Sequence, residues 1–278
     1  MIKDILVCLE GSASSEAATS VAIGLGRQLS AQLVGLAIID EPDIRAGTAM
    51  GIGASSFKHD RDDALVADAR KQATDWVALF ERRCREDEVA ARTFEVVGRP
   101  AAAILAKMAA HDLTVIGRDA NFRFETERED PDTRDQILRR GERPVLLVPE
   151  GNESLGSQVV IAFDGSGSAR RAAATFAASG LATGRDVHVV TVDDDGGRAW
   201  EMANRGVAIV QNAGVAAKAH NVVSAFSNAD AIFNTARDLK AGLIVMGAFA
   251  HSRLAHLFHQ SAMRGLIERS TVPLFLQH

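Results

Sequence analysis

One turn occurs twice in this chain. ILVCLEGSAS, closing at Ser14, and VVIAFDGSGS, closing at Ser168, each set an apolar run before an acidic residue and then Gly-Ser-x-Ser. A stretch rich in Ala and Gly follows both. With the two turns superposed, Ala18 falls on Ala172, Ala22 on Phe176 and Gly26 on Gly180, a spacing of four that marks one face of a helix. Small residues on that face let the helix lie close on a sheet. A unit repeated in this way predicts one α/β scaffold built twice, and Ser14 and Ser168 read as helix N-caps.

The rest of the chain repeats the same order. Second strands are expected at Leu33–Ile39 and Val187–Val192, third strands at Thr93–Val97 and Asn221–Ala225. Fourth strands end at Gly117 and Gly247, and the last strands run over Pro144–Glu150 and Val272–Gln277. A helix over about Asp62–Glu86 carries Val66, Ala69, Ala73, Trp76, Val77, Phe80 and Cys84 as its apolar stripe. The Gly-rich stretch before it reads as a loop. Its counterpart is shorter: Asp193–Gly197, then a weaker helix to about Ala213. Pro100 suits a first helical position, and Asp230 suits a first turn. Such alternation predicts two tandem doubly wound domains, Rossmann-like or flavodoxin-like, each around a five-stranded, mainly parallel sheet. The expected domains are 1–150 and 158–278, joined by the polar Gly151–Gln158.

Composition narrows the function. With 278 residues of which 47% are hydrophobic, two cores are affordable. No apolar run is long enough for a membrane span. The N-terminal stretch runs straight into the first Gly-Ser turn and reads as a strand rather than a signal segment. A net charge of −5 and 5% aromatic residues argue against nucleic acid as partner. Two cysteines form no disulfide framework and suit a reducing cytoplasm.

The order of the strand–acidic–Gly-Ser–helix opening, the DLTVIG and AGLIVMG fourth strands and the RPVLLVP and TVPLFL closing strands resembles the universal stress protein family, twice over. In its ATP-binding members the fourth strand leads into Gly, two residues, Gly, nine residues, Gly and then Ser or Thr. Glycines admit phosphate oxygens close to the backbone, and the helix that follows offers free N–H groups. The resemblance implies a nucleotide site in the second half only. There Gly247 matches the first glycine with Met246 before it, Ala250 replaces the second, Gln260 replaces the third, and Ser261 follows. Asp164, with Gly165 after it, holds the acidic position, and Val192 ends the strand that meets the adenine. The first half has Glu10 at the acidic position, no glycine between Gly117 and Gly141, and an acidic run from Glu125 to Asp135. Arg118 and Arg123 remain there as anion ligands or as part of a solvated loop.

Three functions stay open on this reading: an ATP sensor acting by binding, an interaction or small-ligand protein without nucleotide, and a weak nucleotide or ester hydrolase. The Gly-Ser turns do not fit Gly-x-Ser-x-Gly, and no general base stands near them. His251, His256 and His259 read as a polar helix face rather than a metal site, since no Cys accompanies them. Asp193–Asp195 read as a solvated loop or a cation site at a strand end. Cys8 reads as a buried small hydrophobe and Cys84 as part of a helix stripe. Family members pair domains through their last strands, which a tandem chain does internally, and a further homodimer stays open.

Overall fold

The computed structural model describes residues 1–46, 55–122, 133–224, 227–248 and 266–278. The first half runs β1 (Asp4–Leu9), α1 (Ala13–Leu29), β2 (Gln32–Ile39), α2 (Glu41–Ala46), α3 (Ser55–Glu86), β3 (Ala91–Val97), α4 (Pro100–Met108), β4 (Leu113–Gly117), α5 (Thr133–Arg140) and β5 (Val145–Val148). The second runs β6 (Gln158–Ala162), α6 (Gly167–Ser179), β7 (Asp186–Asp193), α7 (Gly196–Asn212), β8 (Ala217–Val223), α8 (Asn228–Asp238), β9 (Leu243–Gly247) and β10 (Leu274–Gln277).

The ten strands among the described residues form one sheet in the order β3-β2-β1-β4-β5-β10-β9-β6-β7-β8. Each half has the order 3-2-1-4-5 of a Rossmann-type sheet, with a switch point where β1 (or β6) lies between strands reached in opposite directions. Within each half the strands are parallel, and their buried runs are apolar on both faces, as helices on both sides require.

The halves meet where β5 and β10 pair antiparallel: Leu147 with Leu274, Leu146 with Phe275, Val145 with Leu276. Leu146, Leu147, Leu274 and Phe275 are fully buried, and Phe275 stacks edge-on against Phe176 with centroids 5.9 Å apart. Each such side chain contributes about 1.5–3 kcal/mol by leaving water. Hydrogen bonds flank the seam: Ile2 N–H to Ser179 O at 3.0 Å, Asn152 Nδ2 to Thr271 O at 3.0 Å, and Gln277 Nε2 to Glu142 O at 3.0 Å.

The repeated turn has the same form in both halves. Gly11 and Gly165 take φ of +77° and +74°, which glycine adopts without strain. The N-caps are Ser12 and Ser166, whose hydroxyls accept from Ser15 N–H and Ala169 N–H, not Ser14 and Ser168 as the sequence suggested. The left-handed glycine brings the serine that directly follows it to the cap. Ser14 and Ser168 then fall inside the first helical turn, buried and within 3.1–3.2 Å of the cap hydroxyls.

Core volume is conserved by exchange. Phe80 of α3 lies over Gly35, where a Cβ would stand 2.8 Å from its ring. In the second half the helix supplies the small residue, Gly206, and the bulk comes from Val189 of β7 and Phe163 just past β6, at 2.7 and 2.9 Å from a Cβ placed there. Four segments differ from expectation. The stretch after β2, read as a loop, opens with the helix α2 (Glu41–Ala46). β8 starts at Ala217, four residues earlier than Asn221. α3 starts at Ser55 rather than Asp62, and α7 starts at Gly196, inside the stretch read as loop.

A specific protease site placed in the linker between Gly151 and Ser157 tests the seam. Cleavage should leave two fragments that co-elute at the intact position in size-exclusion chromatography. Phe275→Lys, which puts a charge in the buried pair, should release them.

Candidate functional site

At the head of the second half, β6, β9 and β7 end side by side, because β6 is hydrogen-bonded to both of the others. The ends carry Asp164, Gly247 and Val192. Asp164 Oδ1 accepts from Ser166 N–H at 2.9 Å, and its Oδ2 takes no hydrogen bond among the described residues. Gly247 abuts the start of α6: a Cβ there would lie 2.5 Å from Ala169 N and 2.6 Å from Ser168 Oγ. Only glycine lets β9 end against that helix turn. The Met202 sulfur covers Gly165, 2.5 Å from where a Cβ would stand. Val192 is half-buried and Met246 is buried in the core, behind the strand end rather than at it. Ala250, Gln260 and Ser261 lie outside the described residues, as do Arg123 and the three histidines at 251, 256 and 259.

The first half has the same architecture and different contents. Gly117 abuts α1, with a Cβ placed 2.5 Å from Ser14 Oγ and 2.7 Å from Ser15 N. Glu10, one methylene longer than Asp164, reaches further. Its Oε1 accepts from the Ser12 hydroxyl and from Ser12 N–H at 3.3 Å. Its Oε2 accepts from Asn121 N–H at 3.2 Å, beyond the end of β4. Ser14 Oγ accepts from Asp119 N–H at 3.3 Å. Burial raises the pKa of Glu10 above the ordinary carboxylate value; the Ser12 and Asn121 bonds pull it back and Asp119 pushes it further up. Arg118 is committed: it grips Asp119 through Nε and Nη2 at 2.8–3.1 Å and donates from Nη1 to Ser270 O at 2.5 Å. Sequence reasoning saw Glu10 only as a lost aspartate. Its extra methylene was the available signal for a longer reach.

Other candidates resolve into structure. Asp195 caps α7, accepting from Gly197 and Arg198 N–H at 2.8 and 2.9 Å. Asp193 pairs with Arg198 at 2.8 Å, which lowers its pKa to about 2, and Asp194 pairs with Arg198 too. The acidic run is thus satisfied by its own helix start. Among the described residues no three His, Cys, Asp or Glu side chains converge as metal ligands. Cys8 and Cys84 are buried free thiols. Burial pushes both up, that of Cys84 to about 11, so neither is a ready nucleophile. A cavity of about 70 Å³ lies between α1 and α3, walled by Leu9, Gly11, Trp76, Phe80 and Arg83. That is well under the roughly 300–1,000 Å³ of ordinary ligand pockets.

One polar chain went unnoticed in the sequence. Asp186 Oδ2 accepts from Gln158 Nε2 at 2.8 Å, and Gln158 Oε1 lies 2.8 Å from His188 Nε2. His188 Nδ1 lies 2.8 Å from His220 Nε2. The orientation of Gln158 makes His188 Nε2 the donor, so His188 Nδ1 accepts from His220. The same places in the first half hold Val34 and Phe94. Burial lowers the pKa of both histidines, aided at His188 by His220 and Lys218 and at His220 by Lys218.

Comparison with known proteins follows the same lines. A family model described as "Universal stress protein family" matches residues 1–149. A curated universal stress protein of Synechocystis sp. is 28% identical over 142 residues, 50% of this chain and 48% of its own. The chain therefore spans about half the length of that relative. A crystal structure of a universal stress protein from Archaeoglobus fulgidus aligns over 99% of this chain and 95% of its own, with a TM-score of 0.73 and 18% identity. A protein of unknown function from Pseudomonas aeruginosa aligns over 99% and 92%, with a TM-score of 0.55 and 15% identity. At those identities the two structures establish the shared fold.

The histidine chain makes a pH prediction. A histidine whose folded pKa is depressed stabilises the fold fully above its unfolded value, roughly 6.5, and progressively less as pH falls below it. The melting temperature should drop between pH 7.5 and 5.5. In the double variant His188→Val, His220→Phe, which copies the first half, that drop should be smaller.

Proposed function

Given that this chain belongs to the universal stress protein family, we propose that it is a stress-response protein of the cytoplasm that binds an adenine nucleotide, ATP, through its second half. It acts by binding rather than by turnover. The observation that carries the reading is the contrast between two carboxylates at one position. Glu10 has both oxygens tied to backbone N–H groups. Asp164 has one oxygen on Ser166 N–H and the other without a hydrogen bond among the described residues. A carboxylate oxygen at a sheet's switch point can accept from a sugar hydroxyl.

In this reading Asp164 and Gly165 meet the ribose, and Val192 borders the adenine. The phosphates run past Gly247, with Met246 supporting the strand end from the core. Ala250, Gln260 and Ser261 stand at the positions of the family's glycine signature. A glutamine in place of the third glycine sets an affinity weaker than that of a full signature. Residues 1–150 and 158–278 are the two domains, an internal pair joined through β5 and β10.

Calorimetric titration of ATP into the nucleotide-free protein tests the reading. One equivalent should bind. Asp164→Ala should weaken binding at least tenfold, about 1.4 kcal/mol, and Glu10→Ala should leave it unchanged. No heat up to millimolar ATP would overturn it in favour of a partner-binding protein without nucleotide.

A further inference from the structure

We propose that Glu10 is an internal ligand: its carboxylate takes the place of an outside anion at the head of the first half and holds the segment 117–122 permanently closed. The two oxygens serve different loops. Oε1 stays on the β1 turn through Ser12, and Oε2 crosses to Asn121 N–H, 111 residues on. No cation binds this carboxylate among the described residues. Asp119 acts on it as a charge and repels it, and the Arg118 guanidinium is turned to Asp119 and to Ser270 O. Backbone N–H groups and a serine hydroxyl hold it instead, as they would hold a bound oxyanion.

A second tie, Asp119 N–H to Ser14 Oγ, fastens the same segment to α1. The matching carboxylate of the other half, Asp164, is one methylene shorter, and its bond among the described residues is to its own turn. Closure of the segment has a consequence beyond the first half. The segment carries Arg118, whose Nη1 bond to Ser270 O bridges to the turn that opens β10. The first half thereby presents a fixed bracket to the second without any nucleotide of its own. The inference is independent of whether the second half binds ATP.

Amide hydrogen exchange on the full chain tests it, with Asn121 and Asp119 read against a core amide such as Leu36. In the wild type both are protected. Glu10→Asp, the residue the second half uses, should speed exchange at Asn121 about tenfold relative to Leu36 while Ser12 N–H stays protected. Glu10→Gln, which keeps the reach and an acceptor oxygen, should hold Asn121 within about threefold of wild type. Arg118→Ala should leave Asn121 protected. An unchanged Asn121-to-Leu36 ratio in Glu10→Asp, or equal loss in Glu10→Asp and Glu10→Gln, would overturn the proposal.

Discussion

The antiparallel pairing of β5 with β10 is the contact on which the rest of the molecule depends. Each half is a five-stranded sheet whose last strand is short and apolar, and alone it would expose that strand as an open edge. Pairing the two removes both edges and makes one ten-stranded sheet. It also places α1 and α6 on the same side of the seam, where Phe176 meets Phe275 and Ile2 meets Ser179. The edges that remain, β3 and β8, are guarded by polar and charged residues such as Arg92, Glu95, Lys218 and Asn221.

On that scaffold the two heads are equal in backbone and unequal in chemistry. Both use a glycine at the end of the fourth strand so that the strand can abut a helix start. Both set a left-handed glycine and a serine cap in the first turn. The difference is one methylene. Glu10 spans from the turn to the loop after β4, and among the described residues Asp164 bonds only within its own turn. A duplicated unit can in this way keep its packing while one copy gives up a ligand position to its own side chain.

Much of this was legible in the sequence. The apolar runs of β1, β4, β6 and β9 are buried on both faces, and such runs read as strands without help from periodicity. The stripe of α3 appeared as expected: Val66, Ala69, Ala73, Phe80 and Cys84 are buried. What escaped was set by neighbours in space. The start of β8 reads AKAH, with no run of β-formers, and becomes strand because β7 pairs with it. α7 begins within an acidic stretch because Asp195 caps it. Ser14 and Ser168 looked like caps because only three-dimensional turn geometry shows which serine comes first. The extra methylene of Glu10 is visible in the sequence, but its partner Asn121 lies 111 residues on and no local pattern names it.

Glu10 fills the first head from within, and the second head is the one proposed to take a nucleotide. Photolabelling with an azido-adenine analogue of ATP, followed by peptide mapping, tests it directly. The account predicts label in the peptides around Asp164 and Val192 and none in residues 1–150. Label shared equally between the halves, or confined to the peptide holding Glu10, would contradict it.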